Sequence, residues 1–152
     1  MVATAQINRY LNNHYQGMSP EQLILMLYKG ALDRLRLARE GIEENNIPKR
    51  GENLSKAIAI IAELNASVDP TMTDESTQFL RGLYTSILAE LPKVSITNDT
   101  KILMRAHLYI SKLKEIWEKD VIGKGAQQKP AKQLANNYAA AAGNSTFNSF
   151  SI

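Results

Sequence analysis

The stretch from Ser19 to Leu37 constrains this chain more than any other part of it. The Ser19 hydroxyl is placed to accept the backbone N–H of Gln22, while the Gln22 side chain reaches back to Ser19, a reciprocal helix start. Pro20 then falls at the first helical position, where its missing N–H removes no bond and its fixed φ suits the helix. Behind that start, Leu23, Leu27, Ala31, Leu35, Ala38 and Ile42 recur at helical spacing as one apolar stripe. Ile24, Tyr28 and Leu32 form a second stripe beside it. A helix apolar over so wide an arc has to be covered from two sides. That predicts the central element of a helical bundle.

The rest of the chain keeps the period. The first helix is expected from Pro20 to about Asn45, with Arg36/Glu40 and Arg39/Glu43 as i, i+4 ion pairs on its outer face. Asn45-Asn46 followed by Ile47-Pro48 ends it. A second helix carries Leu54, Ala57, Ile58, Ile61, Leu64 and Val68, and Asp69-Pro70 stops it. A third starts near Thr73 or Asp74 and carries Phe79, Leu80, Leu83, Tyr84, Ile87, Leu88 and Leu91. Pro92 is expected to push Leu91 away from helical angles and so end or kink that helix. Asn98 or Asp99 caps a fourth, whose apolar positions are Ile102, Leu103, Ala106, Tyr109, Ile110, Leu113, Ile116 and Trp117. Glu115/Lys119 is expected to support its last turns. No alternation of the strand type appears, and short loops favour antiparallel neighbours. The expected fold is all-α, an antiparallel four-helix bundle over residues 18–122 with a short extra helical segment before it.

Residues 1–17 hold Ile7, Tyr10, Leu11 and Tyr15 on one face of a helix too short to stand alone. They read as a mobile N-terminal segment, either a lid over an apolar groove with Gly17 as its hinge and Ile7 and Tyr10 as its anchors, or a frayed terminus with no preferred site. Residues 123–152 contain no Asp or Glu and little apolar content, and read as a disordered tail. Lys124, Lys129 and Lys132 in that tail account for the whole net charge of +3. The body is neutral and offers no strong field for a nucleic-acid backbone.

The absence of cysteine excludes a disulfide framework, a thiolate metal site and a cysteine nucleophile. The longest apolar runs, Leu23–Tyr28 and Ala57–Ala62, are far too short to span a membrane. The N-terminus lacks the charged head and long apolar run of a secretory signal. A cytoplasmic protein without membrane insertion is expected.

Chemistry is sought in vain. Leu11 precedes His14 and Met104 precedes His107 by three residues, where a di-iron bundle needs Glu. Gly123-Lys124-Gly125 lacks the frame of a phosphate loop. No enzyme, no metal and no cofactor are expected. What remains is surplus apolar surface at Tyr28, Leu32, Tyr84, Tyr109 and Trp117. These either complete a wide core or border a groove for a partner helix, and periodicity does not divide the two. Ile58, Leu80, Tyr84 and Tyr109 are the expected groove-side positions, on the second, third and fourth helices.

In this order the residues resemble one family. Ser19-Pro20-Glu21-Gln22-Leu23-Ile24-Leu25-Met26-Leu27-Tyr28-Lys29-Gly30-Ala31 is similar to the opening of the first long helix of the flagellin export chaperones, FliS. Gly51-Glu52-Asn53-Leu54-Ser55-Lys56-Ala57-Ile58-Ala59-Ile60-Ile61 resembles the family's second helix, and Leu83-Tyr84, Asn98-Asp99 and Trp117 follow in place. The chain departs from the family at Lys29, where Asp is usual, and at Pro92. The resemblance implies a chaperone that binds the C-terminal segment of flagellin in the cytoplasm and prevents premature polymerisation. It delivers that segment for export, which admits the flagellar export gate as a second partner. Two other readings stay open, a self-associating structural or regulatory bundle and a nucleic-acid binder acting through the basic tail.

Overall fold

Local chemistry sets each helix start. Ser19 accepts the Gln22 N–H at 3.3 Å and its own N–H donates to Gln22 Oε1 at 3.3 Å, so the reciprocal cap forms. The computed structural model describes residues 17–123 and contains four long helices. They are α1 (Pro20–Glu43), α2 (Ile47–Ala66), α3 (Glu75–Glu90) and α4 (Thr100–Trp117). No strand occurs among the described residues. The segments 1–16 and 124–152, with the expected lid residues Ile7 and Tyr10, His14 and the tail, lie outside them.

The two tight links use asparagine in the left-handed region, which its short polar side chain tolerates better than most. Asn45 (φ 55°) ends α1, and Asn46 then caps α2 by accepting the Lys49 N–H at 3.0 Å. Asn98 (φ 52°) ends the turn before α4, and Asp99 caps α4 by accepting the Lys101 N–H at 2.9 Å. Of the two candidates for the cap of α4, Asp99 fills the role and Asn98 closes the preceding turn. Asp74 caps α3 and accepts the Thr77 N–H at 3.1 Å.

α1 is the central helix. It packs along α2 and against α4, while α3 leans mainly on α2. Leu27, Tyr28, Ala31, Leu35 and Ala38 are buried on α1, so both of its apolar stripes reach the core. Leu54, Ala57, Ile61 and Leu64 face them from α2, and Leu103, Ile110, Leu113 and Trp117 from α4. The helices α1 and α2 close to near contact at their shared end. A Cβ on Gly41 would stand 2.5 Å from the Arg50 backbone nitrogen, so only glycine fits there.

One expectation holds only in part and another fails, for reasons visible in the backbone. α3 does end at Glu90, just before Pro92, but Leu91 keeps helical angles (φ −56°, ψ −42°) and the chain runs on. It tightens into a 3-10 turn over Leu91–Lys93 and continues as one α turn over Val94–Thr97. Pro92 sits at the start of that new turn, where no intrahelical bond requires its N–H. At the other end, the pair that forms is Lys114–Glu118 at 2.9 Å, not Glu115/Lys119. The backbone there widens into a π turn over Glu118–Ile122, which breaks the i, i+4 register assumed for Lys119.

Candidate binding cleft

The α3 and α4 backbones scarcely approach each other, although a single connection joins them. Between them runs a shallow apolar cleft. Leu83, Ile87 and Leu91 line it from the α3 side at i, i+4, i+8, and Ile102, Ala106 and Tyr109 line it from α4. Ser86, Glu90 and Arg105 supply its polar rim. The unfilled volume is about 50 Å³. Pockets for small substrates run to roughly 300–1,000 Å³, so this opening is a seat for side chains and not a reaction chamber.

The four positions expected at a groove divide between core and surface. Tyr109 is half-buried and lines the cleft. Ile58 is half-buried on α2 and packs against the core without lining the cleft. Leu80 and Tyr84 are fully enclosed, which corrects their placement on the groove side. One residue along a helix turns a side chain by about 100°. Leu83 therefore faces the cleft while Tyr84 beside it faces the core. Leu83, Ile87 and Ile102 are the cleft residues that the apolar pattern contained but did not single out.

The surplus aromatics resolve in the same way. Tyr28 and Tyr84 meet inside the core, with their hydroxyl oxygens 2.9 Å apart. Burial pushes both phenols well above their ordinary range, and for Tyr28 the neighbouring Tyr84 adds to it. Trp117 is buried as well, and its indole N–H donates to the Glu21 carbonyl at 2.8 Å. That bond pins the end of α4 to the first turn of α1. Leu32 and Tyr109 remain half-buried at the surface of the core.

The outer face of α1 is polar and paired. Arg36 meets Glu40 at 2.6 Å and Arg39 meets Glu43 at 3.4 Å, both as the i, i+4 spacing required. Lys49 from α2 joins Glu40 and Glu44, and these contacts hold the Glu40 carboxyl below its usual range, chiefly through Arg36. His107 on α4 is held below the ordinary imidazole range, first by partial burial and then by Arg36 and Arg39. Among the described residues no cluster of three or more His, Asp or Glu stands close enough to hold a metal ion. No helix among them is long and apolar enough to cross a membrane.

Comparison with known proteins adds an independent line. The family model for "Flagellar protein FliS" matches residues 3–124. The chain is 31% identical over 129 residues to the "Flagellar secretion chaperone FliS" of Escherichia coli (strain K12), covering 84% of this chain and 93% of that one. It is 34% identical over 117 residues to the protein of the same name from Salmonella typhimurium, covering 76% and 85%. The Bacillus subtilis (strain 168) protein of that name is 31% identical over 112 residues, covering 74% and 83%.

Proposed function

This chain belongs to the FliS family of flagellar secretion chaperones, and from that premise we propose that its cargo is the C-terminal segment of flagellin, seated as an amphipathic helix along the α3–α4 cleft. The observation that carries this reading is the shallow apolar cleft between α3 and α4, where half-buried Leu83 and Tyr109 stand over a floor of buried Ile87, Leu91, Ile102 and Ala106. Leu83 and Tyr109 offer a sequence-tolerant apolar edge above buried Ile87, and Glu90 and Arg105 at the rim fix the register of a helix laid on it. A disordered cargo segment with exposed apolar anchors tends to self-associate. Laying those anchors on the chaperone removes them from solution while the chain waits for export in the cytoplasm. The ordering cost of the cargo offsets part of the contact energy, which keeps the complex releasable at the export gate.

The test is a titration of the full chain with a flagellin C-terminal peptide, followed by fluorescence anisotropy. Leu83→Gln and Tyr109→Ser are expected to weaken binding at least about tenfold while the melting temperature stays within a few degrees of wild type. Unchanged affinity in both variants sinks the cleft assignment. Absence of peptide binding together with concentration-dependent dimerisation of the wild-type chain supports the self-associating bundle instead.

A further inference from the structure

The outer face of α4 carries a stripe outside the core that borders the cleft only at Arg105. Lys101, Met104, Arg105, Leu108 and Lys112 recur at i, i+3, i+4, i+7 and i+11, a spacing that sets them along one side of the helix. Met104 is 48% exposed and Leu108 50% exposed, one turn apart. Other surfaces of the bundle place cations beside acids, as at Arg36/Glu40, Lys56/Glu52 and Lys93/Glu90. This one does not. From Thr100 to Lys114 there is no Asp or Glu, and among the described residues Lys101, Arg105 and Lys112 have no acidic partner. Two apolar anchors thus stand among three cations, Lys101, Arg105 and Lys112, that no acid of the same helix segment neutralises.

The chain itself cannot supply the complement. Residues 1–16 and 124–152 contain no Asp or Glu, so neither terminal segment neutralises the stripe. A second copy pairing through the same face would set Lys101, Arg105 and Lys112 against their own equivalents, and like charges brought together in an interface are strongly disfavoured. What fits is a row of carboxylates flanking apolar side chains at helical spacing. We infer that the outer face of α4 is a docking surface for an acidic amphipathic helix of a separate protein partner. Its apolar residues seat on Met104 and Leu108, and its carboxylates pair with Lys101, Arg105 and Lys112. The contact area is small, so the charges set encounter rate and register while the two apolar anchors set the lifetime of the complex.

The probe is a labelled designed helix, leucine at i, i+3, i+4 and i+7 with glutamate flanking and alanine elsewhere, titrated into the full chain. A matched peptide with lysine in place of glutamate and vesicles of phosphatidylglycerol serve as the other two arms. The acidic peptide is expected to bind, with an affinity that falls steeply as salt rises. Met104→Ser/Leu108→Ser and, separately, Lys101→Glu/Lys112→Glu should each weaken it at least about tenfold. Both double variants change exposed side chains, and circular dichroism melts coincident with wild type establish that they fold. Their affinity for the flagellin peptide should move less than about twofold, which separates this face from the cleft. Equal binding of the acidic and basic peptides overturns the inference, as does acidic-peptide binding that survives both double variants. Binding to the vesicles without binding to the acidic peptide overturns it too, in favour of an anionic lipid surface.

Discussion

The hydroxyl oxygens of Tyr28 and Tyr84 lie 2.9 Å apart, joining α1 to α3 across 56 residues of sequence inside a core that excludes water. α3 touches the bundle more lightly than α2 or α4 does, so this bond carries much of its orientation toward α1. Tyr28→Phe leaves the Tyr84 hydroxyl buried without its partner and is expected to cost about 1–3 kcal/mol. Adding Tyr84→Phe to that variant should recover part of the loss, because the stranded hydroxyl is then gone. Urea titrations of both single variants and the double variant measure the coupling. Strict additivity would mean that the two rings contribute by packing alone.

Two glycines on exposed-looking helices should respond in opposite directions. Gly41→Ala drives a methyl group into the backbone of Arg50, which no side-chain rotation relieves, and should destabilise the protein by several kcal/mol on the order of a core overpacking. Gly82 lies within α3 with open space where a Cβ would stand. Gly82→Ala should stabilise by about 0.5–1 kcal/mol through the reduced entropy of the unfolded chain. Thermal melts of the two variants, run side by side, check the sign as well as the size.

His107 gives the fold a pH dependence of known sign. Its imidazole is harder to protonate in the folded protein than in the unfolded chain, because of partial burial and the nearby Arg36 and Arg39. The unfolded state therefore binds more protons as pH falls through the ordinary imidazole value of 6.5 toward the lowered folded value. Stability should drop across that window and stay level above it. The lowered carboxyls, Glu40, Glu52 and Asp74, titrate at more acid pH and leave this window to His107. His107→Gln should flatten the slope below about pH 6.5, as read from melting temperature against pH. A slope that persists in the variant would assign it elsewhere.

Much of this architecture was legible before any tertiary contact was known, because its signals are local. A capping box spans four residues, a stripe repeats every three or four, and an i, i+4 ion pair closes within one turn. Ser19 and Gln22, Arg36 with Glu40, and the buried run Leu27, Ala31, Leu35 and Ala38 all stand where that short-range geometry put them. Where the backbone left regular helix, the same reasoning held only in part, since α3 ends before Pro92 as expected. Pro92 was absorbed by starting a new turn, and the π turn after Trp117 moved the last ion pair to Lys114 and Glu118.

The facing of each helix was decided otherwise. Leu80, Leu83, Tyr84 and Ile87 are all apolar on α3, and periodicity alone accepts any of them as core or as cleft. Their division depends on where α1 lies, since Tyr84 finds a hydroxyl there and Leu83, a third of a turn away, finds none. Trp117 likewise looked like surplus surface until its N–H met the Glu21 carbonyl across 96 residues. The helices, their caps and their apolar arcs follow from residue order alone, because neighbours within one or two turns fix them. Which part of each arc is enclosed and which part stays open as a cleft follows from the packed bundle instead. That choice depends on helix rotation and spacing, set jointly by all four packed surfaces.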